Sequence, residues 1–231
     1  MIASAALSVL LCLSLASAPP AWEQVASSDG IAVFARTREG SAIAEVKAEA
    51  VVDAPPEAVW AVVRDYEAQT RTMPYTEAAR VLAREAGDKV TVLYTVIKAP
   101  LADRRDLTVR ITDESQWQGG QGFLKARWTA VEAGPAPVDG IVRVRLNDGY
   151  WLLRPREGGA RTQVTYYLYT DPGGSVPRWI VNQANRSSLP EVLRALRREV
   201  AQRGAAGHGV GAVPHPRPLP GGEGAPAAPK S

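Results

Sequence analysis

Alternating apolar and polar positions dominate this chain and predict a protein built mainly of strands. Ile31 to Arg36 sets Ile31, Val33 and Ala35 against Ala32, Phe34 and Arg36, the period-two pattern of a half-buried strand. Ala42 to Val52 repeats it, with Ala44, Val46, Ala48 and Ala50 opposite Glu45, Lys47 and Glu49, a strand with one wet face. Strands are also predicted over Ala79 to Arg84 and Val90 to Ile97, joined by the turn Ala86-Gly87-Asp88. In Asp106 to Thr112, Leu107, Val109 and Ile111 alternate with Thr108 and Arg110. Gly122 to Val131, carrying Phe123 and Trp128, and Thr162 to Thr170 read the same way. Ile141 to Arg154 is either one long strand with a bulge at Asn147-Asp148-Gly149 or two strands joined there by a tight turn. Trp22 to Ser28 is expected to be a short helix or lead-in before the turn Ser28-Asp29-Gly30.

The period changes in two places. Asp53-Ala54-Pro55-Pro56-Glu57 has the acid, the prolines and the first-turn carboxylate of a helix start, and Ala58, Val59, Trp60, Val62 and Val63 continue it. A second short helix is predicted from Asp65 to Met73. After Asp171-Pro172-Gly173-Gly174 a long helix is predicted from near Pro177 to Arg203, with Pro190 kinking or restarting it. One face of that helix reads Val176, Trp179, Ile180, Gln183, Ala184 and Ser187, a mixture of large, small and amide groups suited to orienting a ligand or to bonding a carbonyl beneath the helix. Leu189, Val192, Leu193 and Leu196 read as ordinary core. Strands linked by short turns, with the helices segregated, predict an α+β architecture with an antiparallel sheet. A sheet that grips a helix tends to enclose a cavity, which points toward binding more than toward chemistry.

Composition narrows the picture. Of the 231 residues, 1–18 read as a signal peptide, because Ile2 to Ala18 is apolar and ends in Ala16-Ser17-Ala18. The run is shorter than the roughly 20 residues a spanning helix needs, so an exported protein, periplasmic or secreted, is expected rather than an anchored one. Cys12 follows Leu11 rather than a small residue, which argues against a lipoprotein anchor. Residues 204–231 are rich in Gly, Ala and Pro and are expected to be a disordered tail, leaving 19–203 as one domain. The single Cys lies in the leader and both histidines, His208 and His215, lie in the tail. A thiol nucleophile, a Ser-His-Asp triad and a His or Cys metal site therefore have no residues in the folded part, and no cofactor or metal is expected. The net charge of +3 is mild and its arginines are scattered among acids, so no nucleic-acid partner is expected.

Three stretches resemble the START family, the lipid-transfer domains related to steroidogenic acute regulatory protein, within the wider Bet v 1-like superfamily. The first is Val51-Val52-Asp53-Ala54-Pro55-Pro56-Glu57-Ala58-Val59-Trp60 with Arg64-Asp65-Tyr66. The second is Arg105-Asp106-Leu107-Thr108-Val109-Arg110. The third runs from Tyr150-Trp151-Leu152-Leu153-Arg154-Pro155 to Asp171, Gly174, Pro177, Ile180, Asn182 and Gln183. The resemblance spans nearly all of Trp22 to Arg203. It implies a helix-grip fold: a curved antiparallel sheet wrapped around a long C-terminal helix, with two short helices after the third strand. It also implies a tunnel for one hydrophobic ligand, a phospholipid, fatty acyl or sterol-like molecule, bound and transferred without catalysis.

On that resemblance the expected ligand-binding residues are Leu107, Val109, Ile111, Trp128, Leu153, Tyr167, Trp179, Ile180 and Gln183, although the pattern alone does not separate tunnel lining from core. Ala99, Pro100 and Leu101 fall where the family places a lid loop, with transient membrane contact implied, and a monomer is expected. Some members bury an Arg-carboxylate pair in the tunnel. Ile111 takes that Arg position here, which implies a more apolar tunnel. The alternative is a cavity enzyme of the same superfamily, cyclase or hydrolase-like, using Asp106 and Arg105.

Overall fold

The structure is a computed structural model that describes residues 20–99 and 102–208. Three strands come first: β1 (Glu23–Ser28), β2 (Ile31–Arg38) and β3 (Ser41–Val52). Helix α1 (Pro56–Val63) follows, then a 3-10 turn (Tyr66–Ala68) that runs into α2 (Gln69–Thr72). The chain then forms β4 (Thr76–Glu85), β5 (Val90–Ile97), β6 (Arg104–Asp113), β7 (Gln116–Gln118) and β8 (Gln121–Ala130). It ends with β9 (Ile141–Arg143), β10 (Leu146–Arg156), β11 (Arg161–Asp171) and the long helix α3 (Arg178–His208). The sheet has 11 strands, in the order β1-β2-β3-β11-β10-β8-β6-β5-β4, with β7 added to β8 and β9 to β6. Every pairing is antiparallel except β6 with β9.

The α+β, helix-gripping architecture is as expected, and four local details differ. Trp22 to Ser28 is not a helix; Glu23–Ser28 pairs with β2 as an edge strand exposed along its whole length. An edge strand with no buried face carries no alternation to read. The break in Ile141 to Arg154 falls at Val144 and Arg145 rather than at Asn147-Asp148-Gly149, which lies in register inside β10 opposite Thr170, Tyr169 and Leu168. There Val144 N–H donates to the carbonyl of Asp106 (2.9 Å), so the chain leaves β6 before it joins β8 and β11. Helix α3 does not restart at Pro190 but runs on as one element, and it continues through residues 204–208, so the expected tail begins with a helical turn. The remainder of the tail and the whole of the leader lie outside the described residues.

Two apolar clusters line the inner face of the sheet. The larger joins α3 through Leu189, Val192, Leu193 and Leu196 to β2, β3, β10 and β11, and takes in Val59, Val62 and Val63 of α1. The smaller joins Leu93, Leu107, Val109, Ile111 and Ala126 to Tyr66 of the 3-10 turn. Trp60 and Trp128 pack against both and mark the seam between them.

Candidate ligand-binding site

Sheet register decides which side chains meet at this seam. Directly opposed residues in an antiparallel pair share a face. Leu93 of β5 opposes Val109, and Ile111 opposes both Thr91 of β5 and Trp128 of β8. Leu153 opposes Leu124 and Val164. The structure therefore brings the predicted residues Leu107, Val109, Ile111, Trp128 and Leu153 onto one inner face, and all but Trp128 are fully buried there. The same register adds Thr91 and Thr95, which the sequence reading missed. Both are buried, and neither hydroxyl has a hydrogen-bond partner among the described residues. The pattern pointed the other way, since Val90, Val92 and Val96 make the opposite parity of this strand the more apolar one.

Trp128 is held by a polar chain through four elements. Its indole N–H donates to Asn147 Oδ1 (2.8 Å), Asn147 Nδ2 donates to Thr170 Oγ1 (3.1 Å), and Asn185 Nδ2 of α3 donates to the Thr170 carbonyl (3.2 Å). The ring stacks on Tyr166 with centroids 5.7 Å apart. A chain satisfied at each link fixes one rotamer and holds the helix against the last strand. Gly149 makes the packing feasible, since a Cβ there would overlap the Trp128 ring and stand 2.5 Å from the carbonyl oxygen of Tyr167.

Four predicted site residues lie elsewhere. Tyr167 opposes Lys47, so it faces the outer side of the sheet. There it stacks on Tyr150 at 4.9 Å and donates its hydroxyl proton to Glu45 (2.6 Å). Burial raises the Tyr167 phenol, and the acceptor carboxylate of Glu45 raises it further. Its neighbour Tyr166, opposite Ala48, is the inward ring. On α3, Trp179 is 72% exposed and Ile180 39%, and Gln183 is exposed as well. The buried stripe instead runs through Val181, Asn185, Leu189 and Val192. Its register is set by amides as much as by apolar groups. Asn182 and Asn185 bond backbone groups of β3 and β11 and turn the preceding apolar residues outward.

Asp106 and Arg105 are likewise committed to other groups, Asp106 on the outer side of β6 and Arg105 on the same side as Leu107, where β6 begins. Asp106 is 1% exposed but lies on the opposite side of β6 from Leu107, where Arg143 grips it with Nε to Oδ1 at 2.6 Å and Nη2 to Oδ2 at 2.9 Å. Tyr94 adds a third hydrogen bond (3.0 Å). The Arg143 hydrogen bonds hold this carboxyl below its ordinary range against the opposing effect of burial. Arg105 donates to the carbonyls of Asp103 (2.6 Å) and Pro172 (3.1 Å), joining the base of the loop before β6 to the turn before α3. Ala99 closes one turn of that loop by accepting from Ala102 N–H (3.3 Å); Pro100 and Leu101 lie outside the described residues.

Most of the arginines on α3 are engaged by acids or backbone carbonyls. Arg178 pairs with Asp171 (2.5 Å), Arg194 with Asp29 (2.7 Å), and Arg203 with Asp65 (2.6 Å) and Glu199 (2.9 Å). Arg197 donates to the carbonyls of Asp29 (2.7 Å) and Val51 (2.9 Å). Among the described residues, no group of three or more Cys, His, Asp or Glu is placed to hold a metal, and no helix is long and apolar enough to cross a membrane.

Comparison with known proteins agrees with this architecture. The sequence profile of the family described as polyketide cyclase / dehydrase and lipid transport matches residues 52–197. The crystal structure of a STAR-related lipid transfer protein from Xanthomonas axonopodis is 31% identical, superposes with a TM-score of 0.69, and is matched over 78% of this chain and 98% of that one. The phosphatidylcholine transfer protein of Bos taurus is 23% identical over 75% of this chain and 81% of its own length. Human StAR-related lipid transfer protein 5, at 19% identity and a TM-score of 0.71, shares the fold over 79% of this chain and 88% of its own. The strand-to-helix opening, the apolar inner row of β6 and the amide-tied terminal helix thus belong to a START domain, and the chain is a member of the polyketide cyclase/dehydrase and lipid-transport family.

Proposed function

We propose that this protein binds one hydrophobic molecule, a phospholipid, fatty acyl or sterol-like compound, at the seam between its two apolar clusters and carries it unchanged. The observation that carries this reading is the inward row Leu107, Val109 and Ile111, faced by Leu93 and bordered by Trp128, with Thr91 and Thr95 as polar handles. At about 25 cal/mol per Å², burying roughly 300 Å² of apolar ligand surface contributes about 7 kcal/mol, more than one or two hydroxyl contacts supply. The printed names of the Xanthomonas and bovine relatives, both lipid transfer proteins, support the same class of ligand. The family description also covers cyclases and dehydrases, but Asp106 is spent on Arg143 and Arg105 on two backbone carbonyls, which weighs against the catalytic alternative.

Exchange would pass between the loop before β6 and the turn before α3, which Arg105 ties together. Exposed Trp179 and Ile180 suit that end to brief contact with a membrane. The apolar stretch from Ile2 to Ala18 supports export, so the working compartment would be the periplasm or the exterior. The test is native mass spectrometry, with lipid extraction, of protein purified from its own compartment. One apolar molecule per chain is the expected result. Empty protein that also ignores a panel of lipids and sterols overturns the proposal.

A further inference from the structure

A groove of about 610 Å³ opens beside α1, bounded by the ends of β4 and β7, by β8 and by the C-terminal part of α3. Its apolar wall is a pair of indoles, Trp60 and Trp117, and its floor is Leu124, which is 5% exposed and belongs to the larger core cluster. The rim carries three guanidinium groups, Arg64, Arg84 and Arg203, against the two carboxylates of Glu57 and Asp65.

These charges are not equally available. Arg203 is held by Asp65 (2.6 Å), and Glu57 accepts the Trp117 indole N–H (3.2 Å), which fixes that ring as a wall. Arg64 lies 4.0 Å from Asp113, donates to the carbonyl of Asp88 at 3.4 Å, and sits over the Trp60 ring at 6.0 Å. Arg84 is exposed, and its guanidinium has no hydrogen bond or ion pair among the described residues. Arg64 and Arg84 both act on the same buried phenol: each opposes the effect of burial, which pushes Tyr66 up to about 12. Arg64 and Arg84 thus share the rim of the groove that Trp60 and Trp117 wall. An accessible cation next to an apolar, aromatic-walled concavity favours a ligand with a charge at one end and apolar surface at the other.

We infer that this groove binds an amphiphilic anion, one phosphate, sulfonate or carboxylate group on a short apolar body, with the anion at Arg84 and Arg64 and the body between Trp60 and Trp117. The groove shares Trp60 and Leu124 with the core beside the seam, but Arg64 and Arg84 have no part in the carrier site proposed above, and the inference stands whether or not a carried lipid is found.

The experiment is isothermal titration of the full chain with dodecyl phosphate, dodecanol and inorganic phosphate, for the wild type, Arg84→Glu and Trp117→Phe. Dodecyl phosphate is expected to bind the wild type, and inorganic phosphate to give no measurable heat. Arg84→Glu should weaken dodecyl phosphate about tenfold, the scale of one charge-assisted hydrogen bond, and leave any dodecanol binding unchanged. Because Arg84 is exposed and unpartnered, its thermal unfolding should match wild type, which keeps the comparison clean. Trp117→Phe keeps an aromatic wall and should weaken dodecyl phosphate less than Arg84→Glu. The inference is overturned if dodecyl phosphate does not bind, if Arg84→Glu binds it as the wild type does, or if inorganic phosphate binds as tightly as dodecyl phosphate. An empty protein that also ignores the panel of lipids and sterols at the seam would sink the carrier reading and leave the comparison of wild type with Arg84→Glu intact.

Discussion

The carboxamide of Asn182 takes over from β11 as the hydrogen-bonding partner of Ala44. The β3–β11 ladder ends at the pair Val46 and Leu168, and beyond it Asn182 Oδ1 accepts from Ala44 N–H at 2.9 Å while Nδ2 donates to the Ala42 carbonyl at 3.1 Å. One side chain thus finishes a strand edge and seats the first turn of α3. Asn182→Ala strands both backbone groups at a cost of about 1–2 kcal/mol. Hydrogen exchange followed by mass spectrometry is expected to speed up at residues 42–46 and 178–186. Residues 189–200 should stay protected, because Leu189, Leu193 and Leu196 remain buried. Uniform loss of protection along α3 would show that Asn182 does not act locally.

Gly149→Ala tests the seat of Trp128. The added methyl overlaps the indole, so the ring must leave the Asn147 hydrogen bond or β10 must shift away from β11. Overpacking of this kind typically costs about 1–3 kcal/mol. Thermal unfolding should fall, and the near-ultraviolet circular dichroism of the Trp128–Tyr166 stack should weaken. A variant with wild-type stability would contradict the packing described.

Asp106 predicts an acid-sensitive fold. Its carboxyl titrates below the ordinary value of 3.8, so the Arg143 pair contributes its full stability above that value and loses it as the pH falls through the lower, folded one. Denaturant midpoints should therefore drop on acidification below about pH 4. Asp106→Asn removes one partner of a buried pair and should cost roughly 3 kcal/mol near neutrality. The gap from wild type should narrow in acid. A gap that does not change with pH would refute this source of stability.

Thr91→Val and Thr95→Val separate binding from folding. Each replaces an inward hydroxyl with no protein partner by a methyl of the same shape, so stability should hold or rise by about 1 kcal/mol. If these hydroxyls touch the carried molecule, the amount of lipid recovered by extraction should fall while the melting temperature does not. Falling stability together with unchanged lipid would remove both residues from the site.

Much of this fold was legible because local periodicity is a local property. The alternation in β2, β3 and β6 placed Val33, Val46 and Leu107 on a buried face, and the helical spacing of Leu189, Val192, Leu193 and Leu196 identified the buried part of α3. Where two neighbouring residues were equally apolar, the pattern offered no choice. Tyr166 and Tyr167 are adjacent rings, and only the pairing of Tyr166 with Ala48 and of Tyr167 with Lys47 turns the first inward. Trp179 and Ile180 attracted attention as large apolar groups, yet two asparagines set the rotation of the helix. Asp106 had the residue type of a catalytic acid, but its parity opposite Leu107 already pointed outward, and its partner Arg143 enters from 37 residues further along the chain.

By itself the sequence determined the α+β class, most of the strands, the helices after Asp53 and after Gly174, and the absence of His and Cys from 19–203, because these depend on composition and on neighbours along the chain. Only the tertiary structure decided the break at Val144, the rotation of α3, and the placing of Arg64 and Arg84 on the rim of one groove with Trp60 and Trp117. Each of these is set by contacts between residues far apart in sequence, where one backbone carbonyl or one amide is enough to choose between two faces that hydrophobicity leaves equivalent.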